Sequence, residues 1–154
     1  MTPEQRLIEK GLVLPEVPKP IASYLPYRSS GNLLFLSGQV PRGPDGQLRI
    51  GRVGREVTIA DAYADARNVG LQLLAVAKAA LGDLERISAV IKLFGMVNAD
   101  PDFGDHPKVI NGCSDLLVEI LGDCGRHARS AVGMGSLPSG VTVEIEVILE
   151  FRQR

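Results

Sequence analysis

The stretch Arg129-Ser130-Ala131-Val132-Gly133, followed by Leu137-Pro138 and then by Val141-Thr142-Val143-Glu144-Ile145-Glu146-Val147, decides how this chain is read. In its second half the residues alternate. Val141, Val143, Ile145, Val147, Leu149 and Phe151 share one face, and Thr142, Glu144, Glu146 and Glu150 share the other. A period of two with one apolar face marks a β-strand. Leu137-Pro138 and the glycines around it interrupt the pattern, so the stretch reads as two strands joined by a Gly/Pro loop, a hairpin near the end of the chain. A lone arginine, Arg129, opens the first strand. A guanidinium rooted on a rigid strand can grip a planar carboxylate with two parallel hydrogen bonds, which suits a small anionic metabolite.

Outward from there, residues 86–97 also alternate, with Ile87, Ala89, Ile91 and Leu93 on one side and Ser88, Val90, Lys92 and Phe94 on the other. Residues 22–39 read as two strands around the turn Arg28-Ser29-Ser30-Gly31-Asn32, and the run Leu33-Leu34-Phe35-Leu36 suits a strand covered on both faces. Pro44-Asp45-Gly46 signals a turn, with a short strand expected near 48–50. Thr58 can cap a long helix whose inner face is Ile59, Ala62, Ala66, Val69, Leu73, Val76 and Ala80. Asp61, Asp65, Asn68 and Gln72 form its wet face and Gly82 its stop. A second helix is predicted over 105–121, with Val109, Cys113, Leu116, Leu117 and Ile120 inward and Gly122 at its end. Thr2, Pro3 and Gln5 make a capping-box start for a short N-terminal helix ended by Gly11, and residues 15–20, with three prolines, should be extended.

The order ββ(β)αβαββ predicts an α+β domain: one mostly antiparallel sheet with two long helices packed on one face. Residues 1–19 would form an N-terminal helix and extended arm, and residues 20–154 the domain proper. The other sheet face carries Val90 and Phe94 and is not evidently polar, so self-association is expected.

Composition narrows the function. Seventeen basic against 18 acidic side chains, a formal net charge of −1, give no clustered cation for a phosphate backbone. Aromatics at 5% with no Trp leave no base-stacking platform, so nucleic acid is not an expected partner. Two cysteines, Cys113 and Cys124, without a CxxC pair, and two histidines, His106 and His127, do not suit a zinc site, and no metal is expected. Cys113 reads as a small core residue, and a disulfide is not expected. The first residues lack a secretory pattern and no apolar run is long enough to span a membrane, so the expectation is a soluble cytoplasmic protein with no membrane partner.

Tyr24, Ser37-Gly38-Gln39-Val40-Pro41, Asp45-Gly46, Asn111, Ala128-Arg129-Ser130, Leu137-Pro138 and Val143-Glu144-Ile145-Glu146, taken together and in register, resemble the Rid family (YjgF, reactive intermediate deaminase), formerly called L-PSP endoribonuclease. The resemblance spans about residues 20–154. It implies a chorismate-mutase-like subunit in a homotrimer with three ligand clefts between subunits. It also implies hydrolysis of enamines and imines, such as 2-aminoacrylate, to 2-keto acids and ammonia without a cofactor. By the same resemblance, Arg129 is the essential arginine and Glu144 the water-positioning carboxylate. Tyr24, Ser37 and Asn111 line the cleft with Gly38, Ser130 and Ala131 as further substrate-binding positions. Ala131 stands where many members carry Cys. The N-terminal helix and the segments Phe103-Gly104-Asp105-His106-Pro107 and Gly125-Arg126-His127 suggest a divergent subgroup.

The residue types fit that chemistry. A 2-imino acid has a carboxylate beside a C=N carbon; Arg129 could hold the carboxylate and Glu144 aim a water at the carbon. Read from the residues alone, other roles stay open. Arg129 could pair with Glu144 or Glu146 on a neighbouring strand, and Glu144 could be a solvated charge. Tyr24 could be a core or interface aromatic, Ser37 a strand-end residue, and Asn111 a surface amide. His106 and His127 read as structural, and Arg126 as a rim cation. Two other function classes remain: a trimeric sensor that binds a keto acid without turnover, and a ribonuclease, against which the charge balance and the lack of a suitable His pair argue.

Overall fold

The computed structural model describes residues 1–17, 19 and 22–154. Helix α1 (Pro3–Glu9) starts on the expected capping box: Thr2 Oγ1 accepts from the Gln5 amide at 3.1 Å, and the Gln5 side chain accepts from the Thr2 amide at 2.8 Å. Strands β1 (Tyr27–Ser30) and β2 (Leu33–Gln39) form a hairpin. Helix α2 (Ile59–Leu81) begins where Thr58 accepts from the Asp61 amide and ends at Gly82, in a left-handed conformation that its missing Cβ permits. Strand β3 (Ile87–Asn98), helix α3 (His106–Leu121), β4 (Ala128–Met134) and β5 (Val143–Phe151) complete the chain.

The five strands lie in the order β1-β2-β5-β3-β4. Three neighbouring pairs are antiparallel and β3–β4 is parallel, giving the mostly antiparallel sheet of the α+β reading. Leu34 and Leu36 of β2, Val90, Leu93 and Val97 of β3, and Val143, Ile145, Val147 and Leu149 of β5 form one buried cluster with Ala66, Val69 and Leu73 of α2 and Cys113, Leu116 and Leu117 of α3. Among the described residues, no helix is long and apolar enough to cross a membrane. Both cysteines are free, and burial pushes the Cys113 thiol up to about 12, as befits an inert core residue.

The structure corrects the expected terminal hairpin. β4 and β5 are not neighbours, because β3 lies between them, pairing parallel with β4 and antiparallel with β5. Parallel pairing requires a long crossover, and α3 supplies it. The alternation in β3 is also not uniform. Register shifts against β5 between Ile87 and Ala89 and between Val90 and Lys92 bring Ile87, Val90 and Leu93 inward and leave Ile91 40% exposed on the outer face. The first turn is tighter than read: Arg28, Ser29 and Ser30 are strand residues, and only Gly31 and Asn32 turn. Phe35, expected to be covered, is 42% exposed on the outer face. Near 48–50 there are only isolated bridges, Arg42–Leu48 and Ile50–Val141. The reading of 15–20 as extended, and the boundary at 19–20, fall partly outside the described residues.

Three residues assigned to water are buried: Asp65, Gln72 and Thr142. The segment between β2 and α2 folds over them. Asp65 accepts from Thr142 Oγ1 at 2.8 Å and from Arg49 Nε at 3.2 Å, while Gln72 donates to the Val40 carbonyl at 2.7 Å. Burial of these groups is tolerated because each finds a polar partner in place of water.

Helices α2 and α3 meet closely at Gly112, where a Cβ would overlap the Tyr63 carbonyl. On their solvent side they are tied by Tyr63 Oη donating to Asp115 at 2.7 Å and by two bonds from Arg67 to Glu119, at 3.2 and 2.8 Å. Because backbone, not a movable side chain, blocks the added methyl, Gly112→Ala is expected to force the helices apart and destabilise by about 2 kcal/mol, measurable by urea unfolding.

Candidate functional site

The bend in β2 builds the first part of the site. Leu36 faces Val147 and Gln39 faces Ile145, so Ser37 and Gly38 together stand opposite the single residue Glu146. The extra residue turns both toward the outer face, away from the helices. Glu144 lies on that same face, between the inward Val143 and Ile145. A Cβ on Gly38 would come within 2.9 Å of Glu144 Oε2, so only glycine lets this carboxylate lie flat against β2.

Ser37, Gly38 and Glu144 line a cleft of about 390 Å³ with Tyr24, Gln72, Pro138 and Ser139. Tyr24 is 55% exposed and also borders an adjoining cleft of about 370 Å³. Ser37 Oγ donates to the Leu25 carbonyl at 2.6 Å, which commits its proton and leaves its lone pairs to accept. Ser139 is held at φ 56, the one non-glycine residue with positive φ among those described. Local strain of this kind persists where surrounding structure enforces it, often beside a ligand site. Half-burial, and then the neighbouring Glu146 charge, raise the Glu144 carboxyl above the usual glutamate range. Among the described residues, no donor or cation pairs with Glu144.

Arg129 belongs to a second constellation. It stands opposite Leu93, a core residue, so its side chain is on the helix face of edge strand β4. Nη1 donates to Ser114 Oγ at 3.0 Å and Nη2 to the Pro107 carbonyl at 3.4 Å, both on α3. Among the described residues no carboxylate pairs with it, so the alternative of an ion pair with Glu144 or Glu146 is not what the fold makes. Two of its five N–H groups are used and three remain. Asn111 lies four residues after Pro107 and three before Ser114, on the same stripe of α3. Ala131 faces inward and packs against the core, while Ser130 faces outward opposite Phe94.

The fold therefore divides the residues proposed from sequence. Tyr24, Ser37, Gly38 and Glu144 meet in one cleft. Arg129 and Asn111 meet at the β4–α3 edge. Strand β3 separates Glu144 on β5 from Arg129 on β4, and the two side chains face opposite sides of the sheet, so one chain by itself does not bring Arg129 to Glu144. Sequence reasoning missed Ser114, Gln72 and Ser139. The place of Ser139 directly after Leu137-Pro138 was a usable signal, whereas nothing in the helical pattern singled out Ser114.

An ionised carboxylate with a raised pKa costs folding stability above that pKa, and the cost disappears as pH falls through and below the ordinary glutamate range. Glu144→Gln is accordingly expected to raise the melting temperature at pH 7, with the gain shrinking towards pH 4; thermal unfolding of both proteins across that range checks it.

The chain matches, over residues 4–147, the family described as "YjgF/chorismate mutase-like, putative endoribonuclease". It is 40% identical over 141 residues to Protein TCP17 of Trypanosoma cruzi, spanning 91% of this chain and 88% of that one. The crystal structure of the protein Atu1372 of Agrobacterium tumefaciens superposes with a TM-score of 0.89 at 46% identity, covering 98% of this chain and 94% of that one. A Shewanella oneidensis protein described in the same endoribonuclease terms superposes with a TM-score of 0.94 at 37% identity, covering 98% and 100%. The five-stranded sheet with its helices is thus that of a chorismate-mutase-like subunit, and this chain belongs to the Rid/YjgF family.

Proposed function

We propose that this protein hydrolyses small 2-imino and enamino acids to 2-keto acids and ammonia at clefts between the subunits of a homotrimer. One observation carries the reading: a single chain offers two complementary half-sites that it cannot itself unite. Arg129 keeps unused donors at one sheet edge, while Glu144, with neither donor nor cation partner among the described residues, lies on the other face. A second copy placing its β4 edge against the cleft of Ser37, Gly38 and Glu144 would close the site. The outer face supports such packing, since Phe35 and Ile91 stand exposed on it beside Phe94, Met96 and Ile148.

In the closed cleft Arg129 holds the substrate carboxylate through two parallel hydrogen bonds. Ser37 Oγ, its own proton committed to Leu25, accepts from the protonated imine nitrogen. Glu144 takes a proton from water as the water oxygen bonds to the imine carbon, and the C=N double bond becomes a C–N single bond. The proton then passes to nitrogen, ammonia departs with the C–N pair, and the carbinol oxygen gives its own proton to Glu144 as it becomes the keto oxygen. The raised affinity of Glu144 for its proton brings it nearer to neutrality, where a group serves best as both base and acid.

Imino acids generated in situ by an amino-acid oxidase provide the test. Wild type is expected to speed their decay, Arg129→Ala to lose about a hundredfold or more, and Glu144→Gln to lose turnover while still binding 2-keto acids. Equal decay with and without wild type would remove the hydrolase and leave a carboxylate sensor. Light scattering should report three times the chain mass, and a monomer would contradict the shared cleft.

A further inference from the structure

A chain of hydrogen bonds runs behind Arg129. The ring of His127 has Nδ1 2.6 Å from the Gly125 carbonyl and Nε2 2.9 Å from Ser114 Oγ. A carbonyl oxygen only accepts, so Nδ1 carries the ring proton and Nε2 of the neutral imidazole is an acceptor. Ser114 has one proton, which therefore goes to Nε2. Its lone pair is turned to Arg129 Nη1 at 3.0 Å. Each link fixes the direction of the next, from a backbone carbonyl to the guanidinium. Burial lowers the His127 pKa, and Arg129 nearby adds to this while the bond to the Gly125 carbonyl opposes it, a net shift that favours the neutral ring.

We propose that Ser114 and His127 are positioning residues that orient the Arg129 guanidinium to receive a substrate carboxylate, an inference that rests on the reading of Arg129 as the anchor. The geometry explains why both are needed. The other contact of Arg129, to Pro107, is long at 3.4 Å and holds it weakly. Without an acceptor at Ser114 the guanidinium is free to rotate away, and the ordering must be supplied on binding. Without an acceptor at Nε2 the Ser114 proton is free to turn toward Arg129 and oppose it. The relay engages Nη1 by one N–H only, leaving an N–H on each terminal nitrogen and on Nε, enough for a two-pronged grip.

The test measures binding of 2-oxobutanoate by calorimetry and turnover of in situ imino acids. Ser114→Ala and His127→Phe are each expected to raise Kd and KM about tenfold with kcat changed much less, and the double variant to lose little more than either alone. Ser114→Thr, which keeps the hydroxyl, should restore binding. The ¹⁵N shifts of the imidazole should show Nδ1 protonated, and the Arg129 side-chain N–H signals should sharpen into slow rotation only where the hydroxyl is present. If Arg129→Ala abolishes binding while Ser114→Ala and His127→Phe leave Kd unchanged, or lower only the melting temperature, the relay is structural and the proposal is overturned. If Arg129→Ala binds as wild type does, the anchor reading falls, and the relay with it.

Discussion

Strand β3 stands between the strand that bears Arg129 and the strand that bears Glu144, and the rest of the molecule follows from that placement. Because β3 and β4 run parallel, the chain must cross over the sheet to connect them, and α3 is the crossover. The crossover lays the stripe Pro107, Asn111 and Ser114 along the edge strand, where it meets Arg129 on the inner face. Strand β5, antiparallel to both β2 and β3, turns its inner residues into the core and its glutamates out. The same pairing that satisfies the backbone thus sends the cation and the carboxylate to opposite sides of the sheet.

Left apart, the two charges are held differently. Arg129 rests on neutral oxygens, a hydroxyl and a carbonyl, which orient it without cancelling its charge. Glu144 is half-buried against Gly38 with a like charge, Glu146, nearby, which raises its pKa. The raised pKa of Glu144 costs stability in the isolated chain and is of the kind that a ligand or partner relieves. Asp65 and Gln72, more deeply buried, are partnered: Asp65 has Arg49 and Thr142, and Gln72 has the Val40 carbonyl, whereas Ser88 Oγ and Asn98 Oδ1 are buried without a partner.

Much of the architecture was legible. Caps at Thr2, Thr58 and Gly82, the inner stripes of both long helices and the alternation of β5 are local chemistry, readable in a window of a few residues. Candidate site residues were legible through a family resemblance, and Gly38 through the Ser-Gly-Gln run whose purpose is now visible as room for Glu144. The misreadings share one cause. Asp65, Gln72 and Thr142 are polar yet buried because distant segments supply their partners. Ile91 and Val90 exchanged faces because register shifts in β3 arise from its pairing with β5 and leave no mark in β3 itself.

The sequence by itself determined the helix caps, the inner stripes of α2 and α3 and the alternation of β5, since propensity, capping and periodicity act over short spans. The tertiary structure alone decided that β4 and β5 are parted by β3, that Arg129 hangs from Ser114 and His127, and that Glu144 waits on the far face. Strand order and side-chain contact across dozens of residues depend on how the whole apolar surface is buried at once, a quantity no local window contains.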